Sequence, residues 1–371
     1  MSGRDSHYDI LFEQVQIGPV TARNRFYQVP HCNGMGYLRP NTLAAMRGVK
    51  AEGGWAVVCT EEVEIHANSD NGSAVEGRLW DDGDIPALAK MAEAVHEHGA
   101  LAGIELVHGG YSNANHYSRI PPIAPSLTSV NSYDPVQARA MTKADIRDFR
   151  RWHRQAAVRS RQAGFDLVYV YAGHNLTLLM HFLSRRCNQR TDEYGGGFEG
   201  RIRLALEVAT AVREHWPSTK PLFYRLSVVD GEDGGWSVAD SVALAKRLYE
   251  CGVDVIDCSS GGITVPATAN MTPRSMTVSQ IQYAAEVCPA IEPLGMTTMA
   301  VGQITEAVQA EKIIESGKAN LVAIGREMLF NPNWALHAAV ELGVDPEYGQ
   351  WPKQYGSWLQ RRVLLDLDQR S

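Results

Sequence analysis

The sequence contains no C-x-x-C pair, no run of about 18 apolar residues and no long run of basic residues. The missing C-x-x-C pair weakens zinc and iron–sulfur interpretations, and the six scattered cysteines are typical of a reduced, cytoplasmic protein. Without a long apolar run, and with a polar amino terminus, neither a membrane-spanning helix nor a signal peptide is indicated. The net charge of −7 argues against nucleic-acid binding. We therefore expect a cytoplasmic protein with no membrane or nucleic-acid partner.

Several catalytic signatures are also missing. The sequence has no G-x-S-x-G nucleophile elbow, and no pair of carboxylates stands out as a glycosidase site. A glycine-rich run at 195–200 does not directly follow a predicted strand, so it does not indicate a dinucleotide-binding fingerprint. This last absence argues against an open, doubly wound sheet.

What the chain does contain is a repeated unit: an amphipathic helix, a glycine near its end, and a short apolar strand. Five segments show the glycine and strand together: 52–59, 98–106, 164–170, 252–258 and 317–324. Three further apolar strands fit the gaps, at 24–30, 221–226 and 296–301. Helices are predicted at 41–51, 85–98, 143–163, 200–215, 238–251, 278–287, 304–316 and 332–342. Eight alternating units with parallel, right-handed connections predict a closed (β/α)8 TIM barrel.

Barrels of about 200 to more than 400 residues form single domains, so we predict one domain over 1–371. The barrel would occupy about 10–342, followed by a docking tail at 343–371. Three long connections, at 108–141, 175–197 and 261–276, all follow strands and would carry substrate loops at the C-terminal mouth. The aromatic residues of the tail suggest docking onto the barrel or onto a second subunit. We expect a homodimer or larger homo-oligomer in which Trp358 or Arg361 reaches a neighbouring subunit.

The ends of the predicted strands carry polar groups and glycines. Strand four ends in Tyr171 and His174, and strand five carries Arg225. Gly302 and Gly325-Arg326 follow the last two strands and precede helices, the usual arrangement of a barrel phosphate site. A phosphate-bearing cofactor beside a phenol and an imidazole therefore fits the mouth. Taken singly, Tyr171 and His174 are more typical of structural residues, and the two glycines are also typical of tight turns.

A metal-dependent hydrolase is the more remote interpretation. Carboxylates and imidazoles at strand ends serve such enzymes, and the candidate ligands are Glu61, Glu62, His66, His108 and His174. This alternative leaves the two glycines and Arg225 without a role.

Six segments resemble the Old Yellow Enzyme family of FMN oxidoreductases. They are Asn24-Arg-Phe-Tyr-Gln-Val-Pro-His-Cys32, the stretch 50–61, Trp80-Asp-Asp-Gly-Asp84, Arg190-Thr-Asp-Glu-Tyr-Gly-Gly196, Asp257-Cys-Ser-Ser-Gly261 and Ala323-Ile-Gly-Arg-Glu327. The N-terminal half most resembles the trimethylamine dehydrogenase branch, whereas the tail at 351–358 is similar to the short ene-reductases. The resemblance covers nearly the whole chain, from about residue 10 to residue 361, but not the additional domains of the larger relatives.

The resemblance implies an FMN site built from matching positions. Val29, Pro30 and His31 would line the flavin, Glu105 would lie near its pyrimidine edge, and Arg225 would lie by N1 and O2, where a cation favours the anionic reduced form. Gly302, Gly325 and Arg326 would hold the phosphate. Cys32 resembles a cysteine that attaches FMN covalently, although a noncovalent tuning thiol and an inert core cysteine are equally compatible.

The resemblance also implies a substrate site above the flavin. Tyr171 and His174 would bind the substrate or its developing anion. Leu176 occupies the position of a proton-donating tyrosine of many ene-reductases, and Glu62 and Ile256 occupy aromatic positions of the amine dehydrogenases. His108 and Trp358 complete the candidate substrate residues.

We therefore predict an FMN-dependent oxidoreductase that transfers hydride through flavin N5. The expected reaction is NAD(P)H-dependent reduction of a small activated alkene or carbonyl compound. An FMN amine dehydrogenase or N-demethylase, which oxidises a C–H bond next to nitrogen, is the alternative.

Overall fold

The computed structural model describes residues 6–69, 76–112, 114–129, 136–174, 176–231, 233–261 and 280–365. The strands are β1 Val15–Ile17, β2 Val20–Ala22, β3 Phe26–Gln28, β4 Val57–Glu64, β5 Gly77–Arg78, β6 Leu101–Val107, β7 Ile123–Ala124, β8 Thr128–Ser129, β9 Gln137–Ala140, β10 Leu167–Ala172, β11 Leu222–Ser227, β12 Val255–Ser259, β13 Thr297–Val301 and β14 Leu321–Ile324. The helices are α1 Asp9–Phe12, α2 Pro40–Glu52, α3 Ile85–His96, α4 Lys143–Gln162, α5 Leu178–Leu183, α6 Phe198–Arg213, α7 Val238–Glu250, α8 Ile281–Ile291, α9 Ala307–Glu315, α10 Arg326–Phe330, α11 Trp334–Glu341 and α12 Lys353–Leu364.

Eight strands form a closed parallel barrel in the order β3, β4, β6, β10, β11, β12, β13 and β14. The pairing of β14 with β3 closes it. This confirms the predicted (β/α)8 barrel, and each predicted strand and helix is present with its ends shifted by a few residues. A capping box begins α4: Thr142 accepts a hydrogen bond from the Asp145 N–H, and the Asp145 carboxylate accepts one from the Thr142 N–H.

Alternation along each strand divides the barrel residues between two apolar layers. On β10, Leu167 and Tyr169 belong to the inner cluster, whereas Val168 and Val170 pack between the strands and the helices. The inner cluster fills the barrel with large side chains, so the interior is a packed core that becomes polar only near the C-terminal mouth.

A hairpin of β1 and β2 closes the opposite end of the barrel. Val15, Ile17 and Ala22 from this hairpin belong to the inner cluster. The turn lies against the start of β12, because a Cβ added to Gly18 would be 2.8 Å from the Asp254 side chain. No sequence pattern predicted this hairpin.

The long connections carry small elements of their own. The connection at 108–141 contains β7 to β9, and the connection at 175–197 contains α5. The connection at 261–276 lies almost entirely outside the described residues. In the tail, Tyr348 and Trp351 pack with Leu336 of α11, whereas Trp358 on α12 is 65% exposed.

No helix in the described part of the chain is both long enough and apolar enough to cross a membrane.

Candidate active site

The mouth of the barrel contains a buried cluster of ionisable groups on neighbouring strands. Arg225 on β11 is level with Tyr171 on β10 and with Asp257 on β12. Its Nη1 donates to both carboxylate oxygens of Glu105 on β6, at 2.9 and 3.1 Å. Its Nε lies 3.3 Å from Asp257 Oδ2. One guanidinium therefore lies between two carboxylates on the inner face of the barrel.

Burial shapes the charges of this cluster. Burial lowers the pKa of Arg225, but Glu105, Tyr171 and Asp257 outweigh this effect and hold the guanidinium charged. Burial raises the pKa of Glu105, and Arg225 opposes the rise. Burial also raises the pKa of Asp257 to about 7, although Arg225 again lowers it. The two carboxylates therefore differ, because Glu105 accepts two hydrogen bonds from Arg225, while neither oxygen of Asp257 accepts one from the described residues.

Tyr171 and His174 lie side by side above this cluster, as the strand end predicted. The Tyr171 hydroxyl is hydrogen-bonded to Nδ1 of His174, and Nε2 of His174 lies 2.6 Å from the Ser259 hydroxyl. The His174 N–H donates to the Ser227 hydroxyl at 2.7 Å, which fixes a backbone φ of 58°. The Arg225 guanidinium lies 5.0 Å from the Tyr171 ring centroid.

This environment keeps both rings neutral. Burial raises the pKa of Tyr171 well above its ordinary value. Burial and then the charge of Arg225 hold the pKa of His174 well below its ordinary value. The pair is therefore a phenol and a neutral imidazole at physiological pH. Neither serine was predicted from the sequence as a partner of His174.

His31 follows β3, and a residue that the sequence analysis missed holds it in place. Arg47 on α2 is fully buried and donates through Nη1 to His31 Nδ1 at 2.8 Å and through Nη2 to the His31 carbonyl at 3.0 Å. Burial, with the charge of Arg47, lowers the pKa of His31 to about 2. In sequence, Arg47 is one of many basic residues on helices, and nothing marks it as buried.

Two glutamates hold the loop that follows His31. The backbone N–H groups of Asn33, Met35 and Gly36 donate to the Glu61 carboxylate at 2.9 to 3.1 Å, and that of Gly34 donates to Glu76 at 3.0 Å. Such a run of successive N–H groups is an anion-binding nest. Glu61, which the sequence analysis considered as a metal ligand, instead fixes the loop next to Cys32.

Cys32 has solvent access but not the environment of a reactive thiolate. The surrounding protein desolvates the thiol, and the carboxylates of Glu62 and Glu76 add to this effect, so the pKa of Cys32 is raised. Covalent attachment of FMN through Cys32 stays a prediction.

The glycines after the last two strands allow close approach. Gly302 has a φ of 106°, and a Cβ there would lie 2.9 Å from Gln280 Oε1. A Cβ on Gly325 would lie 3.1 Å from Val29 Cγ2. Arg326 is exposed and begins α10. Small residues beside an exposed cation, with the buried Arg225 across the mouth, fit an elongated anionic cofactor such as FMN.

Two of the candidate substrate residues, Ile256 and His108, have little access to the mouth. Ile256 belongs to the layer between the strands and the helices, because Val255 and Asp257 take the inward positions of β12. Its side chain therefore faces away from the mouth, which removes it from the candidate substrate set. His108 is 2% exposed, donates from Nε2 to Asn68 at 2.8 Å and stacks on Trp152.

The remaining candidates differ in how far they are exposed. Pro30 is buried after β3, Glu62 and Leu176 are partly buried, and Trp358 is exposed. Among the described residues, the only group with metal-ligand spacing is His7, Glu311 and Glu315, which includes none of the ligands considered for a hydrolase.

Comparison with known proteins adds the family. Residues 10–344 match the NADH:flavin oxidoreductase / NADH oxidase family. The NADPH dehydrogenase of Bacillus cytotoxicus is 37% identical over 347 residues, which cover 90% of this chain and 93% of that protein.

Two solved structures have a similar fold. Histamine dehydrogenase from Rhizobium sp. 4-9 superposes with a TM-score of 0.82 at 38% identity over 92% of this chain, and this chain spans about half (49%) of its length. Morphinone reductase superposes with a TM-score of 0.73 over 89% of both chains, and at 23% identity this likeness concerns the fold alone. The matches confirm FMN as the cofactor and NAD(P)H as the electron donor. The chain belongs to the NADH:flavin oxidoreductase / NADH oxidase family of FMN-dependent oxidoreductases, as the sequence resemblance predicted.

Proposed function

We propose that this protein uses NAD(P)H to reduce a small activated alkene or carbonyl compound. The observation that carries the proposal is the Tyr171–His174 pair beside the buried Arg225. A neutral phenol held by a neutral imidazole is suited to a substrate that carries a polar oxygen.

The residues that would hold FMN surround the mouth. Val29, Pro30 and His31 offer one side of the cleft, and Glu105 and Arg225 offer a polar edge. Gly302, Gly325 and Arg326 would bind the phosphate through backbone N–H groups and a cation. When bound, FMN supplies hydride transfer between NAD(P)H and the substrate.

The hydrogen bonds around His174 allow an arrangement of protons that leaves the Tyr171 hydroxyl available to the substrate. If the Ser259 hydroxyl donates to Nε2, the single N–H of the neutral imidazole lies on Nδ1 and points to the Tyr171 oxygen. The Tyr171 hydroxyl is then free to donate to a substrate oxygen. In this arrangement, Tyr171 contacts the substrate, whereas His174 and Ser259 position it.

Leu176 offers no proton to the substrate carbon, because its side chain is aliphatic. The proton that completes alkene reduction would therefore come from water or from another acid. A site of this kind favours substrates whose reduced carbon faces solvent.

A first experiment tests the cofactor. The purified protein should be yellow, and an absorption spectrum before and after acid precipitation reports whether the flavin is covalent. Anaerobic addition of NADPH should bleach the flavin. A protein that stays colourless when supplied with FMN contradicts the proposal.

A second experiment tests the role of Tyr171. Tyr171→Phe removes one donor and should lower kcat/KM for a cyclic enone by about 10²-fold while flavin reduction by NADPH is unchanged. Tyr169→Phe is the matched control, because Tyr169 lies two residues earlier on the same strand within the inner core. Equal effects of both variants would exclude a specific role for Tyr171.

Amine oxidation is a second candidate function, favoured by the likeness to histamine dehydrogenase. In this case a substrate amine would reduce the flavin by giving up a hydride from the carbon next to nitrogen. Anaerobic bleaching by histamine or an N-methyl amine, without bleaching by NADPH, would favour this candidate over alkene reduction.

We further propose a single-domain cytoplasmic enzyme that forms a homodimer or larger homo-oligomer through its tail. The exposed Trp358 ring, with the Arg361 guanidinium 4.7 Å from its centroid, supports such an interface. A monomer with full activity, measured by sedimentation during turnover, contradicts it.

A further inference from the structure

Asp257 is a fully buried carboxylate at the centre of the candidate site, and the proposed function gives it no role. It occupies an inward position of β12, at the level of Arg225 on β11 and of Met299 on β13. Its exposed fraction is 0%, and its Oδ2 lies 3.3 Å from Arg225 Nε. Neither of its oxygens accepts a hydrogen bond from the described part of the chain. A carboxylate of this kind costs free energy when ionised, unless a positive charge compensates it.

The charge that compensates Asp257 is shared. Arg225 also forms two hydrogen bonds with Glu105, so one positive charge faces two carboxylates. With both carboxylates ionised, the three groups carry a net charge of −1. Among the described residues, the other titratable groups near Asp257 are the thiols of Cys59 and Cys258 and the phenol of Tyr169. All three are buried and neutral at physiological pH because burial raises each pKa. None of them can neutralise the extra negative charge.

Among the three ionisable groups, Asp257 is the one that can change its charge. Arg225 stays protonated, and its two hydrogen bonds stabilise the ionised form of Glu105, whereas Asp257 accepts no hydrogen bond from the described residues. Burial places the pKa of Asp257 at about 7, so a small change in the local field moves it across the physiological range. An additional negative charge at the mouth would raise the pKa of Asp257 further.

The proposed function supplies that additional charge. A hydride from NAD(P)H brings two electrons and one proton to the cofactor, and so leaves one negative charge on it. Resting on the FMN site proposed above, with the flavin against Arg225, we propose that Asp257 binds a proton from solvent when the cofactor is reduced and releases it when the hydride leaves to the substrate. The NAD(P)H is oxidised, the cofactor is reduced, and the proton on Asp257 balances the charge.

The proposal predicts how the midpoint potential of bound FMN depends on pH. For a two-electron couple, a tenfold change in the equilibrium constant corresponds to about 30 mV. One proton per two electrons therefore gives a slope of about 30 mV per pH unit, and two protons give about 59 mV. We expect the steeper slope in the wild-type protein from pH 7 to pH 8.5, where Asp257 is ionised only before reduction.

Asp257→Asn removes the titrating group without changing its size. The pH slope of the midpoint potential should fall to about half. The midpoint potential at pH 8 should become more positive, because a negative charge that opposes the anionic reduced cofactor has been removed. Asp254→Asn is the matched control, because Asp254 lies just before the same strand at the opposite end of the barrel, beside Arg213. The control should keep the steep slope.

A steep slope that persists in Asp257→Asn, or that is lost in Asp254→Asn, would overturn the proposal. If Asp257→Asn does not fold, a reduced-minus-oxidised infrared difference spectrum of the wild-type protein decides. A protonated carboxyl band should appear on reduction at pH 8, and its absence counts against the proposal. A protein that binds no FMN at all would instead refute the proposed function, so the two failures are distinguishable.

Discussion

The two ends of the barrel bury different kinds of side chain on the same strands. At the base, the β1–β2 hairpin places Val15, Ile17 and Ala22 in the inner cluster and seals the interior with apolar contacts. At the mouth, the inward positions carry Arg225 and Asp257 instead. Burial of the apolar groups at the base lowers the free energy of the folded state, whereas burial of the charged groups at the mouth raises it. The apolar contacts at the base therefore offset the cost of burying charge at the mouth.

The largest effect should come from breaking the central ion pair. Arg225→Met leaves Glu105 and Asp257 buried without a cation and should lower the free energy of unfolding by about 3–5 kcal/mol. It should also weaken FMN binding by about 100-fold, because the cation at the polar edge of the site is lost. Urea unfolding and fluorescence titration with FMN measure the two effects.

The double variant Arg225→Met/Glu105→Gln separates these effects. It removes one unpaired charge, so stability should recover in part, while FMN binding should stay weak. Recovery of both properties together would mean that Arg225 acts only through folding.

The next largest effect belongs to the base. Ile17→Ala should lower the free energy of unfolding by about 3 kcal/mol, because it leaves a cavity in the inner cluster. FMN affinity of the folded protein should not change. Val20→Ala, at a partly buried position of the same hairpin, should cost much less. A loss of FMN affinity in Ile17→Ala would show that base and mouth are not independent.

The smallest effect concerns the loop beside Cys32. Burial and the charge of Glu61 raise the pKa of Glu76 to about 7, so the folded protein binds this proton more tightly than the unfolded chain does. Stability should therefore fall as pH rises from the ordinary value of about 4.5 through 7. Glu76→Gln should remove this fall in the free energy of unfolding. We expect the fall to be about 1 kcal/mol, because the carboxyl is partly exposed and solvent screens its interactions.

Thermal unfolding at pH 5 and at pH 8 measures the difference. Glu97→Gln, at an exposed glutamate after α3, serves as the control. The same pH dependence in wild type and Glu76→Gln would assign the titration to another group.

The sequence predicted the barrel because its signal is repeated. A helix, a glycine and an apolar strand recur often enough that single ambiguous strands do not matter, and the Thr142 cap marks a helix start to the residue. The β1–β2 hairpin was missed because strands of three residues carry no measurable periodicity.

Within the site, the sequence identified residues at strand ends better than residues that support them. Tyr171, His174 and Arg225 follow or end strands, and the structure brings them together. Arg47 acts from a helix, where basic residues are usually exposed. The outward orientation of Ile256 could have been predicted from the sequence. Ile256 is adjacent to Asp257, and neighbouring side chains on a strand face opposite ways.

The loop at 33–36 is a fixed part of the rim of the cleft. Its four backbone N–H groups donate to Glu61 and Glu76, so they hold the loop in one conformation and are not available to a ligand. The long connections after β6 and β10 also begin at strand ends of the mouth. Variation in those two connections can therefore change which substrates the site accepts without altering the loop at 33–36.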